Sequence, residues 1–183
     1  MYIIKDTASG EVVIKKSRFI AALQYVETED EANEFIKDKK KQYHDARHNC
    51  SCYILKEGDI VKSSDDGEPS KTAGRPMLEV LEGKDITNVV CVVTRYFGGI
   101  LLGTGGLVRA YQDAVRAALK GCTLLRAIEV NEVVVTTNYN FWPQIEKLCR
   151  DNNLNMDISY LENVTASIKI PLELTESDRK SVV

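Results

Sequence analysis

The stretch from Arg95 to Tyr111 concentrates the chemistry of this chain. It holds five glycines (Gly98, Gly99, Gly103, Gly105 and Gly106) between an apolar run and an amphipathic one. Glycine lets backbone approach a ligand closely, and the free N–H groups at a helix start form a natural anion site. Arg95 and Arg109 flank the loop and supply positive charge. With Gly103, Thr104, Gly105 and Gly106 they form a candidate phosphate-binding group; a glycine-rich turn required by close packing is the other reading. Established nucleotide motifs do not fit. A dinucleotide fingerprint starting at Gly103 needs a small residue where Val108 stands. A Walker-type loop needs Lys followed by Ser or Thr after its last glycine.

Two further clusters carry reactive side chains. Asp65, Asp66 and Glu68 lie within four residues, enough carboxylates for a hard cation, but without the alternating acids of a calcium loop. Gly67, Pro69 and Pro76 make the same segment a rigid turn, and Lys71 and Arg75 add cations to it. His44 and His48 stand four residues apart, followed by Cys50 and Cys52. On a continuous helix both imidazoles share a face that could bind zinc, but Asp45 replaces the glutamate of the protease motif and the helix is predicted to end nearby. No cofactor or metal site is therefore assigned. Tyr96 and Phe97 are candidates for stacking on a base, with core packing as the alternative.

The elements that position these groups follow from periodicity. Glu11–Leu23 reads as two short strands with a basic break. Thr28 and Glu31 have capping-box spacing ahead of a helix carrying Ala32, Phe35 and Ile36, whose lysine-rich end suits the helix dipole. A strand follows around Cys50–Leu55, then a turn at Glu57-Gly58-Asp59 and a short strand at Ile60-Val61. A loop is predicted over Asp65–Pro76 and a helical turn over Met77–Leu81. Asn88–Tyr96, apolar on both faces, reads as a central strand. Leu107, Ala110, Tyr111, Ala114, Val115, Ala118 and Leu119 trace one face of a helix that Gly121 closes. Beyond it come a strand (Glu132–Thr137), a helix (Phe141–Asn152) and two strands (Met156–Tyr160 and Val164–Ile170).

Composition bounds the class. The chain has 183 residues, 44% hydrophobic and 28% charged, with a net charge of −3. A globular protein is expected, burying roughly 70% of its unfolded surface at about this size, and disorder as the main state is excluded. The longest clean apolar run, Val89–Val93, is far short of the ~18 residues of a membrane span. Without a signal-peptide pattern, and with five scattered cysteines, the expectation is a cytoplasmic protein with reduced thiols. Residues 86–126 carry five basic side chains and one acid, whereas 127–183 carry nine acids and five bases. One basic face is thus compatible with an acidic whole.

Several long motifs occur together. They are Ser17-Arg18-Phe19-Ile20-Ala21, His44-Asp45-Ala46-Arg47-His48, Asp65-Asp66-Gly67-Glu68-Pro69-Ser70 with Thr72-Ala73-Gly74-Arg75-Pro76, and Arg95-Tyr96-Phe97-Gly98-Gly99 through Tyr111. This set resembles the IMPACT family in its bacterial YigZ-type form. The resemblance implies an α+β protein. Residues 1–127 would form an IMPACT-type domain similar to domain four of elongation factor G, a ribosomal-protein-like sandwich. Residues 128–183 would form a small ferredoxin-like βαββ module whose final helix and strand are missing or reduced to Leu172–Val183. Eukaryotic members regulate translation. The family usually has glycine where this chain has Lys71, so that loop is expected to differ or to gain a cation.

Three functional classes follow. The preferred one is a non-catalytic, translation-associated regulator that binds RNA, the ribosome or a translation factor through the glycine-rich cleft. The second is a metal-assisted enzyme acting on a small phosphorylated or anionic substrate, with His44 or His48 as base and Asp65, Asp66 or Glu68 holding the metal. The third is a protein-interaction regulator using the acidic C-terminal part.

Overall fold

A computed structural model describes residues 1–172. The chain divides into two compact units, Met1–Ala127 and Ile128–Val183.

The first unit is built on a five-stranded antiparallel sheet. Its strands are β2 (Ala8–Ile14), β3 (Ser17–Tyr25), β4 (His48–Leu55), β5 (Ile60–Ser64) and β6 (Val89–Tyr96), in the order β2-β3-β6-β4-β5. β6 is central, as its double-sided apolar pattern requires. Val89, Cys91 and Val93 face one core, which they share with helices α2 (Gly74–Glu82) and α3 (Thr104–Lys120). Val90 and Val92 face another, under helix α1 (Glu29–Gln42). The alternation is that of any strand; here both faces are covered.

The predicted capping box is formed. The Thr28 side chain accepts from the Glu31 N–H at 3.2 Å, and the Glu31 carboxylate accepts from the Thr28 N–H. The predicted basic break is the two-residue turn Lys15-Lys16 of the β2–β3 hairpin, both in the left-handed region (φ 46° and 63°). α3 lies almost directly on β2, because Gly10 lets the backbones approach. A Cβ there would stand 2.3 Å from Ala118 N.

α1 ends at Gln42, near where the sequence predicts, leaving His44 in a turn and His48 on β4, so the two imidazoles do not share a helix face. Other expectations are corrected. α2 begins at Gly74, inside the segment predicted as loop, because the Asp65 carboxylate accepts from the Ala73 and Gly74 N–H groups at 3.0 and 2.8 Å and caps the helix from a distance in sequence. Gly121 caps α3 without the left-handed turn usual for glycine there (φ −91°). Two short strands were not predicted: β1 (Tyr2–Ile4) pairs antiparallel with β7 (Leu124–Arg126). At three residues each, neither is long enough to show a period.

The second unit contains β8 (Val130–Thr137), α4 (Trp142–Asp151), β9 (Asn155–Tyr160) and β10 (Val164–Pro171), with sheet order β8-β10-β9. Trp142 and Cys149 of α4 pack on Val164, Ala166 and Ile168. The final helix and strand sought in Leu172–Val183 fall, apart from Leu172, outside the described residues. Among the described residues no helix is long and apolar enough to cross a membrane.

Candidate functional site

The start of α3 is open. Gly103, at φ 74°, turns the chain into the helix and, as N-cap, has no side chain to offer the free N–H groups. The first helical acceptor is the Gly103 carbonyl, which takes the Leu107 N–H at 2.9 Å. The N–H groups of Thr104, Gly105 and Gly106 therefore precede the helical ladder. Apart from chain neighbours and the helix's own backbone, nothing described lies within 4 Å of where a Cβ on Gly103 or Gly105 would stand.

Beside this start lies a cleft of about 390 Å³. Pro69, Phe97, Leu101, Leu102 and Leu107 give it apolar walls. Arg47, His48, Glu68, Arg95 and Thr104 supply its polar atoms. Phe97 and Leu101 are 44% and 81% exposed, large apolar side chains facing solvent in a loop that packing does not cover.

Behind the cleft runs a buried polar chain. Arg95 Nη1 donates to Glu68 Oε1 at 2.6 Å, and the Tyr111 hydroxyl donates to the same oxygen at 2.9 Å. Cys50 Sγ lies 3.3 Å from the Tyr111 hydroxyl oxygen and 3.0 Å from the Asp65 carbonyl. Burial pushes the Cys50 thiol up to about 12. Burial and the neighbouring Cys50 push the Tyr111 hydroxyl far above its ordinary value. Both groups therefore stay protonated donors. The Arg95 guanidinium lies 5.4 and 5.6 Å from the ring centres of Phe19 and Phe97, and its Nε, buried, has no hydrogen-bond partner. His48 Nδ1 faces the Asp66 carbonyl at 2.9 Å; a carbonyl only accepts, so this nitrogen carries the proton. His48 Nε2 stands 4.0 Å from Glu68 Oε1.

Of the candidate residues, the structure gathers Arg95, Gly103, Thr104, His48 and Glu68 into the cleft lining, with Gly105 and Gly106 on the adjoining helical turn. It places the others elsewhere. Arg109 is on the exposed side of α3 and is not in the lining. Arg75 pairs along α2 with Glu79 at 3.6 Å and Glu82 at 3.1 Å. Lys71 is exposed and in the left-handed region (φ 63°), so the loop keeps the backbone that a glycine would favour, and its N–H donates to Asp65. His44 is exposed, and the Tyr96 hydroxyl donates to Asp45 at 2.8 Å.

The three clustered acids diverge. Asp65 caps α2, Asp66 accepts from the Asn49 N–H and from Lys40 at 2.7 and 2.6 Å, and Glu68 holds Arg95 and Tyr111. Among the described residues no three His, Cys, Asp or Glu side chains group to hold a metal. Each acid therefore anchors a different part of the surrounding structure.

Arg47 is the residue that sequence reasoning missed. Between two histidines it drew no separate attention, yet it is exposed at the cleft and makes no hydrogen bond or ion pair with any described residue. Leu101 was missed as well. Its signal was available: a large apolar residue between glycines, outside any periodic run.

Residues 15–119 match the Impact N-terminal domain. The chain is 46% identical over 165 residues to the IMPACT family member YvyE of Bacillus subtilis, covering 89% of this chain and 76% of that one. It is 40% identical over 150 residues to the IMPACT family member YigZ of Escherichia coli, covering 79% and 74%. A crystal structure of a protein described only as hypothetical superposes with a TM-score of 0.68 at 33% identity, over 96% of this chain and 87% of that one.

Proposed function

The chain belongs to the IMPACT family, and from that premise we propose that it is a non-catalytic, translation-associated regulator that binds RNA, free or within the ribosome, through the cleft at the start of α3. Kinship supplies the setting, because eukaryotic members of the family regulate translation. The same proposal takes 1–127 as the domain similar to domain four of elongation factor G and 128–183 as a ferredoxin-like βαββ module. The order β8-β10-β9 with one helix on its face supports the second assignment.

The observation that carries the reading is the uncapped helix start opening beside Arg47. Three N–H groups without helical acceptors and a guanidinium without a carboxylate suit a backbone phosphate. Arg95 contributes little net charge, being paired with Glu68, so affinity rests on few phosphates. Binding of ribosomal RNA should weaken with salt only modestly, log K falling by roughly 0.7–0.9 per log unit for each phosphate neutralised.

The test is filter binding of ribosomal RNA at graded salt with two variants. Arg47→Ala should lower the salt slope by about one phosphate's share. Thr104→Pro removes one N–H at the first helical position, where proline is tolerated, and should weaken binding while the helix survives. Absence of binding at low salt would overturn the reading. Partners that co-purify after nuclease treatment would point to a translation factor instead.

A further inference from the structure

The lysine turn and the free carboxylate oxygen of the cleft narrow the occupant further. A type I′ turn is cheapest with Asn-Gly, because both central residues take positive φ. This hairpin uses Lys15 and Lys16, and neither lysine has a partner among the described residues. The tip sits against the loop that carries Phe97: the Gly98 N–H donates to Ser17 Oγ at 3.1 Å, and a Cβ on Gly98 would meet the Lys16 carbonyl. Two unpaired cations are thus held in a left-handed turn against the loop that carries an exposed aromatic ring.

Within the cleft, both donors to Glu68 converge on Oε1, and Oε2 has no donor among the described residues. Glu68 as a residue is 8% exposed and lines the cleft, so its second oxygen is an acceptor available to whatever enters. In the same wall the Arg95 Nε is buried without a partner. A duplex keeps its bases stacked inside and cannot fill an apolar cleft of about 390 Å³. An unpaired base can, with its flat face on Phe97 or Leu101.

We infer that the occupant is single-stranded RNA, with one unpaired base inserted beside Phe97 and an amino group of that base donating to Glu68 Oε2. Neighbouring phosphates lie toward Arg47 and the α3 start on one side and toward Lys15 and Lys16 on the other. The inference rests on the RNA-binding reading above. It selects adenine, cytosine and guanine over uracil, which has no exocyclic amine to donate.

Fluorescence anisotropy with labelled oligo(A), oligo(C), oligo(U) and a mixed-sequence RNA duplex tests this on the full chain. Oligo(A) and oligo(C) should bind at least about ten-fold more tightly than oligo(U) and the duplex. Phe97→Ala changes an exposed side chain and should cost about ten-fold in binding of oligo(A). Lys15→Gln with Lys16→Gln should reduce the salt slope but keep the base preference. Glu68→Gln should reduce the preference over oligo(U); as this residue is buried, its thermal unfolding is compared first, and Phe97→Ala decides if the variant does not fold. Duplex binding as tight as single-strand binding, equal affinity for oligo(U), or an unchanged Phe97→Ala overturns this inference while leaving the RNA-binding reading intact. Failure to bind any of these RNAs or ribosomal RNA overturns both.

Discussion

Asp66 shows how a single carboxylate secures the segment beside the cleft. Burial by itself would raise its pKa, but Lys40 and the Asn49 N–H, with the Lys40 charge, outweigh that and hold it below its ordinary value of 3.8. A lowered folded-state value means that the stabilisation is fully present above pH 3.8 and is lost as pH falls through the folded value. Asp66→Asn should therefore be less stable than the parent by about 1–2 kcal/mol at neutral pH. The gap should close in urea unfolding carried from about pH 5 to pH 2. Lys71 is the opposite case, a residue at a cost. Its left-handed backbone disfavours any side chain with a Cβ. Lys71→Gly should raise stability by roughly 0.5–1 kcal/mol, the relief of strain exceeding the entropy glycine loses; a thermal melt reads it. Both effects depend on neighbours that residue type alone does not reveal. The carboxylates Asp65, Asp66 and Glu68 were legible as a cluster, but not as three separate anchors, because their partners lie six to forty-three residues away.

At the scale of elements, periodicity was a reliable guide where an element is long and one-sided. α3 shows its buried face, Leu107 through Leu119, in the spacing of its apolar residues, and α1 shows its start in Thr28 and Glu31. The start of α2 was not legible, since its cap comes from Asp65 rather than from the residue before the helix. The contact of α3 with β2 is equally a matter of tertiary packing. Gly10→Ala would drive a Cβ to within 2.3 Å of the Ala118 nitrogen. Because the obstacle is helix backbone rather than a movable side chain, the substitution should cost about 3 kcal/mol in chemical denaturation. It should also leave the secondary-structure signal of the native state largely unchanged.

At the scale of the whole molecule, each of the three sheets among the described residues lies within a single unit. β7 closes the first unit by pairing with β1, with Tyr2 opposite Arg126. A fragment of residues 1–127 should therefore unfold in one cooperative transition by calorimetry, as domains of this size generally do. A fragment ending at Thr123 loses β7, leaves β1 without its antiparallel partner and should melt at a lower temperature.

Local sequence was enough to show which strand is central, where the main helices run, and that a glycine-rich turn leads into an amphipathic helix. These are local properties, set by backbone sterics and by the period at which apolar side chains recur. What surrounds the start of that helix, and whether it is open, depends on how distant segments pack. Tertiary packing joined Glu68 to Arg95 and Tyr111, brought Arg47 to the cleft, and turned Arg109 and Arg75 away from it. A charged side chain has no period of its own. It goes where an opposite charge or a free donor awaits it, and that place exists only once distant strands have met.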